Sequence, residues 1–128
     1  MSNADEVIRL IRAGMYDEAY KKADVSSSSD CRDVALAFIN EEQYEYAYKF
    51  GKGCSDSSDY RYVAIGLAKG GFPEYADELG SRCRYSSDCR AVAEALIDAE
   101  EYEKAALLTK HMDSGDEEHI LSKIKKRQ

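Results

Sequence analysis

The 128 residues include no tryptophan, one proline, two histidines and no long apolar run, and the scarcities remove whole classes of protein. No stretch approaches the roughly 18 consecutive apolar residues that a membrane-crossing helix needs. The opening MSNADEVIRLIRAGMYDEAY has Asp5, Glu6 and Arg9 where a signal sequence needs an unbroken apolar core. A cytoplasmic location without a membrane partner is therefore expected. No Cys-x-x-Cys pair or close Cys/His cluster occurs, so no metal site is expected. Gly51-Lys52-Gly53 and Gly70-Gly71 lack the preceding strand and the spacing of a phosphate loop. His111 and His119 flank a turn, where a solvated or capping role is expected, and no Ser/His/Asp set or carboxylate pair can be placed by spacing. The expectation is a non-enzymatic protein with no catalytic residue and no cofactor. Acidic residues number 25 against 18 basic ones, a formal charge of -7 that disfavours nucleic acid as a partner.

What the chain does have is an internal repeat. Asp30-Cys31-Arg32 returns as Asp59-Tyr60-Arg61 and as Asp88-Cys89-Arg90, a step of 29 residues each time. The same step carries Val34-Ala35 to Val63-Ala64 and Val92-Ala93, and Ala47 to Ala76 and Ala105. Counting the Asp as one, positions two, five, six, nine and ten are apolar in all three units, for example Cys31, Val34, Ala35, Phe38 and Ile39. That is one stripe of a 3.6-residue helix. Asp30, Asp59 and Asp88 each stand before such a stripe and are expected to cap it.

The second half of each unit reads as a second helix. Ala19 and Ala23 correspond to Ala47 and Gly51, to Ala76 and Gly80, and to Ala105 and Thr109. A small residue at i and i+4 lets a neighbouring backbone approach closely, so this face is expected to press on another helix. The first unit should hold helices over about Ala4–Arg12 and Tyr16–Asp24. Asn40-Glu41-Glu42, Gly70-Gly71 and Ala99-Glu100 are long enough only for a tight return, and Pro73 suits the first turn of a helix. Asp116 is expected to cap a last helix that buries Ile120, Leu121 and Ile124 and shows Lys123, Lys125, Lys126 and Arg127 to water. The fold class expected is all-α: one domain over 1–128, a short α-solenoid of four antiparallel helix pairs (about 2–29, 30–58, 59–87 and 88–115) with a C-terminal capping helix over 116–127.

Tyr16 with Ala19, Tyr44 with Ala47 and Tyr102 with Ala105 place an aromatic three residues before a small residue at the start of the second helix. In this the chain resembles the tetratricopeptide and clathrin-type αα-repeat families, over roughly residues 4–127. Its period of 29 is shorter than the tetratricopeptide's, about 34. The resemblance implies stacked helix pairs and a protein-interaction scaffold or adaptor.

Four cysteines fit this frame as core residues. Cys54 and Cys83 lie one unit apart, and packed helices stand about 8–10 Å from one another, beyond the roughly 7 Å Cα separation that a disulfide tolerates. Four buried free thiols are expected.

Arg32, Arg61 and Arg90 occupy the same position of three successive first helices, near the positive helix end that disfavours a cation. Two readings stand open. Each arginine could pair with a cap Asp or with Glu45, Glu74 or Glu103 of a neighbouring helix. Alternatively, Arg32, Leu36, Arg61, Tyr62, Ile65 and Arg90 form a partner-binding face for an acidic or C-terminal peptide segment, mixing arginine with the apolar and aromatic surface that interface anchors favour. Ten tyrosines, among them Tyr46, Tyr48, Tyr75 and Tyr85, point to partner contact or to wedging between helices. The function expected is protein–protein interaction; the alternative is an acidic inhibitor or nucleic-acid mimic that blocks a partner's basic site.

Overall fold

A computed structural model describes residues 2–128. The described chain is all-α, with α1 (Ala4–Arg12), α2 (Tyr16–Lys22), α3 (Ser28–Asn40), α4 (Tyr44–Gly51), α5 (Ser57–Lys69), α6 (Pro73–Gly80), α7 (Ser86–Asp98), α8 (Tyr102–Leu108) and α9 (Ser114–Arg127). A 3-10 turn, Thr109–His111, follows α8. None of these helices is long and apolar enough to cross a membrane.

Each even-numbered helix packs on the odd-numbered one before it, and the odd-numbered helices pack on one another in succession from α1 to α9. The reason is the apolar stripe. Val34, Ala35 and Phe38 of α3, Val63, Ala64 and Leu67 of α5, and Val92, Ala93 and Leu96 of α7 are all fully buried. Each of the larger side chains contributes about 1.5–3 kcal/mol by leaving water.

The small positions of α4 and α6 do what their spacing predicts, whereas Ala23 lies beyond the end of α2 and is half-buried. Ala47, Ala76 and Ala105 have no exposed surface. A Cβ on Gly51 would stand 2.7 Å from Leu79 Cδ1 and 2.9 Å from Val63 Cγ1, and one on Gly80 would stand 2.7 Å from Val92 Cγ1. Side chains of the neighbouring helices thus rest on the Gly51 and Gly80 backbone in space that a Cβ would fill.

The returns within each pair share one geometry. After α1, α3, α5 and α7 the backbone turns left-handed at Gly14 (φ 82°), Glu42 (φ 59°), Gly71 (φ 91°) and Glu100 (φ 62°). Amides then reach back: Gln43 N–H donates to Phe38 C=O at 2.9 Å and Glu42 N–H to Ile39 C=O at 2.9 Å, with Phe72 to Leu67 and Glu101 to Leu96 alike. These paired bonds satisfy carbonyls that the helix end leaves free.

The helix starts depart from the sequence expectation. Asp30, Asp59 and Asp88 are not caps: α3, α5 and α7 begin two residues earlier, at Ser28, Ser57 and Ser86, which leaves each Asp at the third helical position. Ser27 caps α3, accepting from the Asp30 amide at 3.2 Å. Asp113, not Asp116, caps α9 in the same way at 2.9 Å. The serines start the helices early because their hydroxyls are held by the next unit, as described below. Two further differences concern the ends. α2 stops at Lys22 and not at Asp24, because Ala23 is extended and Asn3 clasps the strand-like exit, donating from Nδ2 to Lys22 C=O (2.7 Å) and accepting the Asp24 amide (2.8 Å). In α9, Ile120 and Ile124 are buried but Leu121 is 45 % exposed, unlike Ala35, Ala64 and Ala93 at the same position of α3, α5 and α7, which are fully buried.

Candidate functional site

The first-helix face is built from a joint repeated three times. Arg32 donates to Asp59 at 2.8 Å, Arg61 to Asp88 at 2.7 Å and Arg90 to Asp116 at 3.0 Å. Every arginine therefore reaches from its own helix to the third position of the next odd-numbered helix. The Asp59 and Asp88 side chains are only 3 % and 6 % exposed. Ser28 and Ser86 add hydroxyl donors to Asp59 (2.7 Å) and Asp116 (2.5 Å). The same serine oxygens accept amides of the next turn: Ser28 those of Ser55 and Asp56, Ser57 those of Arg84 and Tyr85, and Ser86 that of Asp113. The Ser86 hydroxyl first, and then Arg90, hold the Asp116 carboxyl below the usual range. A carboxylate beside a helix N-terminus and an arginine is favoured twice over.

Of the residues singled out by sequence, Arg32, Arg61 and Tyr62 come together. The Tyr62 ring, 47 % exposed, lies 4.6 Å from the Arg61 guanidinium and 5.9 Å from that of Arg32. Arg90 belongs to a different cluster: its Nε donates to Glu94 at 3.0 Å, and His119 stands 3.3 Å from the same carboxylate. Leu36 lines a groove of about 480 Å³ with Ile8, Ala37 and Ile39, while Ile65 is half-buried against the core. Among the described residues none of the three arginines meets Glu45, Glu74 or Glu103, and Lys104 is the cation nearest Glu74, at 3.8 Å.

The thiols lie beneath the joints. All four cysteines are free and buried. Cys54 donates to Ser28 C=O (3.7 Å) and Cys83 to Ser57 C=O (3.6 Å). Burial pushes the Cys54 thiol up to about 12, and Cys89 and burial push Cys83 up as well. Cys54 and Cys83 are thereby protonated and inert, whereas the hydrogen bond with Cys83 draws the Cys89 thiol down. Among the described residues no group of acidic, His and Cys side chains is arranged to hold a metal ion, and every buried polar side-chain atom has a partner.

A second surface runs along the even-numbered helices and is aromatic. Tyr48 stacks on Tyr75 at 4.0 Å, Tyr44 on Phe72 at 4.8 Å, and Phe72 and Tyr75 lie 5.8 Å apart and nearly parallel. Toward α2, Tyr46 stacks on Phe38 and meets Tyr20, both at 5.1 Å. The Tyr46 and Tyr48 hydroxyls donate to Asp17 and Glu78, contacts that hold both phenols above their ordinary pKa. Lys49 lies over Tyr20 and Lys52 over Tyr48, at 5.1 and 4.7 Å. Between α4 and α6 these rings enclose a groove of about 410 Å³ lined by Tyr44, Tyr46, Phe72 and Tyr75, with Glu42, Glu45 and Lys49 beside them.

Sequence reasoning named the tyrosines but missed Phe72 and the groove it closes. The signal was there in YEYAYKF, where every second residue from Tyr44 to Tyr48 is a tyrosine, and in Phe72 directly before Pro73. Helical spacing alone does not tell which of these rings meet, since their partners lie one unit away. No protein-family model, curated protein or solved structure matches the chain, and the reading of these surfaces rests on their own geometry.

Proposed function

We propose that the chain is a non-enzymatic protein-interaction module or adaptor: an α-solenoid of four antiparallel helix pairs and a capping helix, akin to the tetratricopeptide-like repeats, working in the cytosol. Four buried free thiols fit a reducing compartment. The arginine ladder serves the scaffold in this reading, because its guanidinium groups are turned into joints between units. The partner is a protein or peptide segment, and it binds along the even-numbered helices.

The observation that carries this reading is the open aromatic groove between α4 and α6. Phe72 stays 38 % exposed, and rigid aromatic rings in a groove are the anchors that interfaces use most. A photo-crosslinking phenylalanine analogue placed at position 72, and for comparison at position 62, tests it in the native cell. Adducts at 72 with a discrete partner, absent at 62, are expected. Adducts at 62 alone would return the binding face to Arg32, Leu36, Arg61 and Ile65, and adducts at neither would remove the interaction reading.

A further inference from the structure

We infer that the groove between α4 and α6 accepts a basic peptide segment, with an arginine or lysine side chain laid against Phe72 and Tyr75 and its charge met by Glu42 and Glu45; this rests on the interaction reading above. Aromatic faces carry negative potential and attract cations. In this row the potential is strengthened, because the Tyr46 and Tyr48 hydroxyls donate to Asp17 and Glu78 and so leave more electron density on their rings.

The protein's own side chains show the preference. Lys49 settles over Tyr20 and Tyr46, and Lys52 over Tyr48, so this surface already holds ammonium groups on ring faces. Glu42 and Glu45 line the groove, and neither is in an ion pair among the described residues; Lys49 also lines the groove, with its ammonium over the Tyr20 and Tyr46 rings and not paired with either carboxylate. The groove therefore offers two free carboxylates and several ring faces to one incoming cation. An acidic segment would meet those carboxylates without compensation. The formal charge of -7 adds attraction at long range, and it works against nucleic acid and anionic lipid. The volume, about 410 Å³, lies at the low end of the range for a bound ligand and suits one or two side chains.

The test uses the full chain and labelled hexa-arginine and hexa-glutamate peptides, with fluorescence anisotropy at physiological salt. Hexa-arginine should bind and hexa-glutamate should not. Phe72→Ala and the exposed Glu45→Gln, both checked for unchanged helicity, should each weaken hexa-arginine binding about five- to tenfold. The inference is overturned if hexa-glutamate binds as well, if hexa-arginine does not bind, or if both variants bind it like the parent, which would mean diffuse attraction to the acidic surface. The two readings fail separately. A partner crosslinked at position 72 without hexa-arginine binding would keep the groove and reject the cation; Phe72-dependent hexa-arginine binding without any crosslinked partner would keep the cation site and reject the protein-partner reading.

Discussion

Arg61 and Asp88 meet at 2.7 Å between α5 and α7, and the Asp88 side chain is nearly enclosed while the Arg61 side chain keeps about a quarter of its surface in water. The pair is thus one-sided: Asp88 depends on Arg61 far more than the reverse. A buried ion pair contributes little over an apolar replacement, but breaking it from one side leaves an unmet charge.

Arg61→Met should therefore lower stability by about 2–3 kcal/mol, the exposed guanidinium keeping it under the full cost of a buried charge. Arg61→Glu should lower it further, and the double variant Arg61→Met/Asp88→Leu should recover most of the loss. Urea unfolding of the cycle measures the coupling. Additive effects would show that the joint carries no pairwise energy.

Close approach at the small positions gives a second expectation. Ala47→Leu and Ala76→Leu should cost about 1–3 kcal/mol by overpacking, and Gly51→Ala should cost measurably, since its new methyl group would collide with Leu79 and Val63. Ala91→Leu, at a half-buried position, should be nearly neutral. Equal melting temperatures for all four would contradict the packing.

At the returns, Glu42 and Glu100 sit where glycine is at ease and an L side chain is strained by about 1–2 kcal/mol. Part of that gain is offset by glycine's larger entropy loss. Glu100→Gly should raise stability by about 0.5–1 kcal/mol and Gly71→Ala should lower it by about 1 kcal/mol. Thermal melts that move in the opposite directions would refute the turn geometry.

The thiols set a limit at high pH. Cys54 is raised from 9.0 to about 12 by burial, so between these values the unfolded chain has lost a proton that the folded chain keeps. Its contribution to stability is complete below about pH 9 and is lost as pH rises toward 12. A thiol reagent at pH 8 should label four cysteines in urea and react only slowly with the native protein. Rapid native labelling of Cys54 would overturn the burial.

Much of the helical arrangement was legible because it is written in short-range spacing. Phe38, Leu67 and Leu96 recur at one position, and Ala47 and Gly51 mark where a neighbouring helix packs closely. What escaped the reading depends on contacts between units. In Ser57-Ser58-Asp59 any of three residues could cap a helix; the choice is made by Ser57 accepting two amides from residues 84 and 85 and by Asp59 meeting Arg32. Leu121 matched the apolar pattern and is exposed, where its counterparts Ala35, Ala64 and Ala93 are buried. The aromatic groove was invisible because Phe72 meets Tyr44 from the preceding unit.

Because donor and acceptor of every joint sit at one register in different units, the chain's length is separable from its fastenings. Excising residues 59–87 would join Ser57-Ser58 to Asp88-Cys89-Arg90, restoring the same triplet. Arg32 and Ser28 would then face Asp88 in place of Asp59. Gly51, relieved of Leu79 and Val63, would receive Val92 and Leu108, the pair that Gly80 now meets. Such a shortened protein should still melt in one cooperative transition, and a loss of cooperativity would show that the units are not interchangeable. Gene-level gain or loss of one such block would then alter reach without redesigning any seam.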